Sequence, residues 1–126
     1  MTKFIPFETL QGKVLKEVHI NHFFGRCGGR GNTIDFVTAD GETYMLYSYE
    51  AGYGNDVRVW VEDMCGDVSA ILGEPILLAE CVTQKSLSTW TFYKLATNRG
   101  YLTIRWCGES NGYYSEEVNF ERVEDV

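Results

Sequence analysis

Three consecutive antiparallel β-strands joined by two tight turns are predicted for residues 89–120, which read TWTFYKLATNRGYLTIRWCGESNGYYSEEVNF. The turns are predicted at NRG, residues 98–100, and at SNG, residues 110–112, because each supplies a glycine and a side chain that tolerates positive φ. Alternation along the second strand sets Trp106 and Arg105 on opposite faces. Bulky side chains pair across such a meander, so we expect it to be the most stable part of the sheet.

Strand patterns also precede this meander. Residues 14–24 alternate loosely and predict a half-buried strand, with His19 on its outer face. The dipeptide DG at residues 40–41 predicts a hairpin between strands at residues 33–38 and 42–49. These patterns favour an antiparallel arrangement in the first half of the chain.

The middle and the end of the chain contain one alternating strand, one short helix and one apolar run. Residues 56–63 alternate valines with charged or aromatic side chains, which turns Trp60 outward. Asp67 is a typical N-cap for the short helix VSAIL. The apolar run PILLAECV, residues 75–82, predicts a central strand that is buried on both faces. The acidic tail FERVEDV, residues 120–126, is expected to fray.

The chain has the length of one domain, with 126 residues. Its hydrophobic content of 44% and aromatic content of 14% argue against disorder. A second short helical turn is predicted at residues 6–12. We therefore predict a single domain over residues 1–126, of the α+β class and mostly β. The expected architecture is an antiparallel sheet or partly open barrel of about seven strands, with one or two short helices.

The acidic charge of the chain lies mainly in its middle third. The net charge is −7, and residues 32–82 hold ten acidic residues against one base, Arg58. Binding to a phosphate backbone depends on clustered Lys and Arg, so direct reading of nucleic acid is disfavoured. An acidic surface suits a basic partner or mimicry of DNA, although surface acids also simply keep a small protein in solution.

The sequence assigns no metal, cofactor or membrane segment. The four cysteines are widely spaced without a C-x-x-C pair, and His19 and His22 point to opposite faces of a strand. No apolar run approaches the roughly 20 residues that a bilayer span needs, and the first ten residues do not form a signal peptide. We therefore expect a cytoplasmic protein with buried, reduced cysteines.

The glycine-rich segment GRCGGRGN, residues 25–32, offers a candidate anion-binding concavity. Successive backbone N–H groups there, together with Arg26 and Arg30, would suit a phosphate. The segment lacks the G-K-[ST] ending of a P-loop. Its two readings are a lid over a phosphate-bearing ligand and a plain loop between two strands.

Two long segments resemble a family of small uncharacterised proteins found largely in bacteriophage genomes. They are GDVSAILGEPILLAEC, residues 66–81, and WTFYKLATNRGYLTIRWCGESNGYYSEEVNF, residues 90–120. Members of that family often carry a His and a Cys-Cys segment where this chain has YEAGYGND, residues 49–56, so an activity of that segment is not carried over. The resemblance gives no catalytic assignment and implies a phage accessory protein that acts in the bacterial cytoplasm.

A ligand-binding surface is predicted near the turn-rich end of the meander. Aromatic planes stack a base, Arg holds a phosphate, and Asn or Glu reads a base edge. The predicted residues are Trp90, Arg105, Trp106, Glu109, Asn111, Tyr113 and Tyr114. The leading hypothesis is that a phage protein with this surface sequesters a nucleotide signal of host immunity. The alternative is that these aromatic side chains belong to the core.

A second hypothesis is an acidic protein-interaction inhibitor that mimics nucleic acid. Its surface would consist of Trp60, Glu62, Asp63 and Asp67, docked on a basic surface of a host defence protein. A third hypothesis, a small hydrolase around Arg105 and Glu109, depends only on proximity in sequence, so no catalytic residue is assigned. Small sheets leave edges that need covering, which keeps a homo-oligomer open.

Overall fold

The computed structural model describes residues 4–24, 30–48, 57–110 and 116–123, without the side chains of residues 22–24, 30–31 and 57–58. Eight β-strands are present in these ranges. They are β1 (Leu15–Phe24), β2 (Arg30–Thr38), β3 (Thr43–Tyr47), β4 (Val57–Gly66), β5 (Leu78–Lys85), β6 (Thr89–Thr97), β7 (Gly100–Ser110) and β8 (Asn119–Val123). The helical elements in these ranges are two 3-10 turns, Phe7–Leu10 and Val68–Ile71.

The strands form two four-stranded antiparallel sheets. Sheet 1 has the order β1-β2-β3-β8, and sheet 2 has the order β4-β7-β6-β5. Side chains from both sheets belong to one buried cluster, so the two sheets pack face to face. The prediction of a mostly β, antiparallel fold is confirmed. Within the described ranges the strands make two sheets, and neither closes into a barrel.

Aromatic side chains link the two sheets at the centre of the core. Phe7, from the first 3-10 turn, packs edge-on against Tyr93 of sheet 2 at 4.8 Å and against Phe120 of sheet 1 at 5.1 Å, measured between ring centroids. Tyr44 stacks on Phe120 at 5.5 Å. Each buried side chain of this size stabilises the fold by about 1.5–3 kcal/mol. The predicted turn at the start of the chain is thus part of the core.

Two side chains cap backbone N–H groups at the edges of sheet 2. Asn32 of β2 accepts a hydrogen bond from the N–H of Val61 on β4 at 2.8 Å. Gln11 accepts one from the N–H of Ala79 on β5 at 3.1 Å. A buried N–H without a partner costs about 1–3 kcal/mol, so these contacts help to hold the surrounding chain on sheet 2.

Several local predictions are confirmed. Strands β6 and β7 form the predicted hairpin, and its turn leads into Gly100, the first residue of β7. The β2–β3 hairpin turns at Gly41, whose φ of 93° is readily adopted only by glycine. Asp67 caps the second 3-10 turn by accepting the N–H of Ser69 at 2.9 Å. His19 is exposed, as expected from its place on the outer face of β1.

The predicted third strand of the meander is wrong. Residues 116–118 lie outside any strand, and β8 pairs with β3 of sheet 1 instead of with β7. Phe120 lies opposite Leu46 and enters the core, where both side chains are buried. The expectation of a frayed tail is therefore also wrong for residues 120–123, while residues 111–115 and 124–126 lie outside the described ranges.

The predicted central position of the apolar run PILLAECV is also wrong. The strand that it contributes to, β5, is an edge strand of sheet 2. Leu78 is 40% exposed and Val82 is 37% exposed, whereas Ala79 is buried. One face of an edge strand at the rim of a sandwich lies in solvent, so the run places apolar side chains at the surface.

Candidate functional site

Two tryptophans lie on the outer face of sheet 2, one on each side of the inner strand β7. The register sets Trp60 of β4 opposite Cys107 of β7, and Cys107 opposite Trp90 of β6. Cross-strand partners place their side chains on the same face. The partly exposed tryptophans flank Cys107, which is only 4% exposed. We call the surface made by these residues, Phe92 and Arg105 the aromatic face.

Arg105 is fixed between an acid and an aromatic ring on this face. Its Nε donates to Asp63 Oδ1 at 2.9 Å and its Nη2 donates to Asp63 Oδ2 at 2.5 Å. Its guanidinium carbon lies 5.0 Å from the centre of the Trp90 ring, within the range of a cation–π interaction. The hydrogen bonds that Arg105 donates to Asp63 raise the pKa of Arg105. The side chains of Arg105 and Asp63 remain 40% and 52% exposed, so a partner can reach both.

Carboxylates surround the tryptophans. The pairing register of β4 with β7 shifts between Val61 and Asp63. This shift is a β-bulge, and a bulge changes the direction in which the neighbouring side chains point. Trp60 Nε1 donates to Glu62 Oε2 at 2.7 Å. Glu109 is exposed and lies two residues from Cys107 on the same strand, so it belongs to the same face. The face therefore combines aromatic rings with acids.

Trp106 does not lie on this face. It is fully buried in the core, on the other side of β7 from Arg105. Leu102 and Ile104 share its face and are also buried. The sequence carried a signal for this placement, because the same three residues alternate with Arg105.

Asp67 is separated from the rest of the predicted interaction surface. It follows β4 and lies about 20 Å along the strand direction from Trp60. Hydrogen bonds from the side chain and backbone of Ser69 lower the pKa of Asp67. Its carboxylate thus serves the 3-10 turn, although it remains exposed.

The remaining predicted ligand residues are not placed. Arg26, Asn111, Tyr113 and Tyr114 lie outside the described ranges, and the side chain of Arg30 at the start of β2 is not described. The structure therefore unites Trp90, Arg105 and Glu109 with Trp60, Glu62 and Asp63. These residues come from the two surfaces that the sequence had suggested separately.

A cleft of about 620 Å³ opens on the inner side of sheet 2. Thr89 and Thr91 of β6 are among its lining residues, and Glu116 and Glu117 line it from the segment before β8. Thr89 Oγ1 donates to a Glu116 carboxylate oxygen at 2.5 Å. Sequence reasoning missed this cleft. The available signal was the pair Thr89 and Thr91. These threonines lie on the core-facing side of β6, where the following residues are Tyr93 and Leu95.

Thiols and potential metal ligands are spread over the described part of the fold. Within them, no group of three or more His, Cys, Asp and Glu side chains is arranged to hold a metal ion. Cys107 is buried, whereas Cys65 and Cys81 are exposed, so the prediction of buried cysteines is wrong for these two. Partial desolvation raises the pKa of the Cys81 and Cys107 thiols, which disfavours the reactive thiolate. No helix in the described ranges has the length and apolar character that a membrane crossing requires.

Comparison with known proteins identifies a family. A family model described as a domain of unknown function, DUF7448, matches residues 8–120. No curated protein and no solved structure matches the chain.

Proposed function

The chain belongs to the DUF7448 family, a domain of unknown function, and we propose that it acts by binding a protein partner through the aromatic face. The observation that carries the proposal is the pair Trp60 and Trp90, which stand partly exposed on either side of Cys107 on the outer face of sheet 2. Trp, Tyr and Arg are the residues that most often dominate protein–protein binding energy.

The geometry of Arg105 supports recognition over a purely structural role. A flexible arginine loses conformational entropy when it is immobilised at an interface. Here Asp63 and the Trp90 ring already hold the guanidinium in one orientation. A partner would therefore meet a preorganised surface, and preorganisation strengthens binding because less conformational entropy is lost on association.

The charge of the face selects a basic partner. Glu62, Asp63 and Glu109 are exposed on or beside it, and the charge of Arg105 is offset by Asp63. Residues 32–82 carry ten acids against one base, so the wider field is also negative. Opposite charge accelerates association and makes it sensitive to salt. A positively charged, nucleic-acid-binding surface is the chemistry that best complements this face.

The biological setting of the proposal comes from the sequence resemblance. We place the protein among phage-encoded accessory factors that act in the bacterial cytoplasm against a host defence protein. Acidic mimicry of nucleic acid would block the basic surface of such a protein without any chemical reaction.

Comparative affinity purification from bacterial cells tests the proposal. The wild type is compared with the double variant Trp60→Ser/Trp90→Ser and with the control Ile20→Ser, which removes an exposed apolar side chain from sheet 1. We expect a basic protein that the wild type and the control retain and the double variant loses. The purified pair should then dissociate as salt is raised. Equal retention by all three proteins would refute a role of the aromatic face.

Sequestration of a nucleotide signal is the second candidate function. The observation in its favour is the partly exposed Trp90 ring beside Arg105, an arrangement on which a base can stack near a phosphate-binding group. It ranks second because a phosphate must compete with Asp63 for Arg105. A thermal shift with ADP-ribose that disappears in Arg105→Ala would favour it over protein docking.

A further inference from the structure

We propose that the cleft on the inner side of sheet 2 binds a small organic cation that carries one or more amino groups. This site lies on the opposite side of sheet 2 from the aromatic face and is independent of protein docking there. Three observations support the proposal. Residues 116–118, which we call the wall of the cleft, are fixed against sheet 2, and Thr89 and Thr91, which we call its floor, present hydroxyl groups. The described lining also carries more carboxylates than bases.

The wall is held in place by a close backbone contact. Gly108 of β7 packs directly against Glu116, so that a Cβ added at Gly108 would lie 2.8 Å from the Glu116 Cβ and 3.1 Å from its carbonyl oxygen. Only a glycine leaves room for this approach. The contact sets Glu116 beside Thr89, whose hydroxyl donates to the carboxylate at 2.5 Å. Tyr93 Oη donates to the carbonyl of Val118 at 3.2 Å and holds the other end of the wall.

The floor presents hydroxyl groups where a sandwich interior normally presents apolar side chains. Along the inner face of β6, Leu95 and Tyr93 give way to Thr91 and Thr89. Thr91 lines the cleft, is only 4% exposed, and makes no side-chain hydrogen bond among the described residues. Its hydroxyl is not among the described buried polar atoms that lack a partner, so it opens to the cleft, where water can hydrate it. Thr91 therefore offers a polar contact that a bound molecule can take over from water.

The charge of the lining selects a cation. Among the described lining residues, the two acids Glu116 and Glu117 stand against one base, Lys85. The negative field reaches the buried Tyr93, where burial first and then nearby groups including Glu117 raise the pKa of the phenol. A phosphate or carboxylate ligand would be repelled, whereas an ammonium group gains charge-assisted hydrogen bonds to carboxylates.

The size of the cleft suits a small molecule. Its volume of about 620 Å³ falls in the range of ligand pockets, roughly 300–1,000 Å³. An ammonium nitrogen near Glu116 can donate to the carboxylate and to a threonine hydroxyl together, because a hydroxyl oxygen also accepts. An aliphatic diamine or triamine meets these requirements.

Isothermal titration calorimetry with putrescine and spermidine tests the site, with AMP and glucose as anionic and neutral comparison probes. The site variants are Glu116→Gln, which keeps an acceptor for Thr89, and Thr91→Val, which keeps the side-chain shape. The matched control is Glu80→Gln on the same sheet, since Glu80 lies on the outer face of β5 beside Lys94. Circular dichroism verifies that each variant is folded.

We expect one amine to bind with a stoichiometry of one, and each site variant to weaken it about tenfold or more while the control does not. Binding of several amines that Glu116→Gln and Glu80→Gln weaken alike would show only attraction to an acidic protein and would overturn the proposal. Binding of AMP or glucose in place of the amines would overturn it as well.

Discussion

The side-chain oxygen of Asn32 accepts the backbone N–H of Val61 at 2.8 Å and so joins an inner strand of sheet 1 to an edge strand of sheet 2. Asn32 is 6% exposed, so water cannot readily replace it. Hydrogen bonds between two packed sheets are rare because their facing surfaces are mostly apolar. This one fixes the position of β4, the strand that carries Trp60, relative to the core.

Replacing Asn32 should therefore destabilise the whole fold. We expect Asn32→Ala to lower the free energy of unfolding by about 1–3 kcal/mol, because the partly buried Val61 N–H loses its acceptor. Asn21→Ala is the control, since Asn21 also donates hydrogen bonds, to Thr33 and Asp35, but is exposed. Urea denaturation measures both variants. Equal losses in the two would mean that the contact between sheets adds nothing.

Replacing the buried Trp106 should destabilise the fold more than replacing the partly exposed Trp60. Trp106→Ala should cost about 3–5 kcal/mol, because it leaves a large cavity in the core. Trp60→Ala should cost much less, since its ring is partly exposed on the aromatic face. Chemical denaturation followed by far-ultraviolet circular dichroism compares the two without relying on tryptophan fluorescence. A larger loss for Trp60→Ala would make the aromatic face structural.

Acid should weaken the β2–β3 hairpin through Glu42. Lys13 Nζ donates to Glu42 at 2.8 Å, and this hydrogen bond lowers the pKa of Glu42 from its ordinary 4.5. A lowered folded-state pKa means that the stabilisation is complete above the unfolded value and is lost as pH falls through the folded value. The melting temperature of the wild type should fall between about pH 5 and pH 3 more steeply than that of Glu42→Gln. If the melting temperatures of the two proteins fall in parallel with pH, Glu42 does not contribute to the acid sensitivity.

Gly108 should tolerate no side chain. Gly108→Ala places a methyl group 2.8 Å from the Glu116 Cβ and must displace the wall of the cleft. We expect a loss of about 1–3 kcal/mol in stability, together with weaker amine binding. Gly108→Ala/Glu116→Gly removes the closest clash and should recover part of the stability. If Gly108→Ala alone is as stable as the wild type, residues 116–118 can move away from β7 without loss.

Local sequence patterns predicted strands and faces better than they predicted sheet membership. Alternation in β7 set Trp106 and Arg105 on opposite faces, as the structure has them, although the predicted binding surface had included both. The same alternation could not reveal that Phe120 belongs to sheet 1, because pairing partners distant in sequence are set by core packing. An apolar run such as residues 75–82 indicates burial on average, and it does not show whether a strand lies at an edge.

The candidate site was predicted in pieces. Trp60, Glu62 and Asp63 were grouped by proximity in sequence, and Trp90 and Arg105 were grouped in another set. Only the β4–β7 pairing brings Asp63 to Arg105, which are 42 positions apart. The cleft was not predicted, because its wall depends on the path of the chain between β7 and β8.

Site-specific photo-crosslinking tests most directly whether the aromatic face is a docking surface. Phe92→benzoylphenylalanine places the probe opposite Arg105, and Ile20→benzoylphenylalanine places it on sheet 1 as the control. On irradiation of fresh host-cell lysates, we expect one basic protein joined to position 92, at a yield that falls as salt is added to the lysate before irradiation. Equal adducts from positions 92 and 20, or none from position 92, would contradict it.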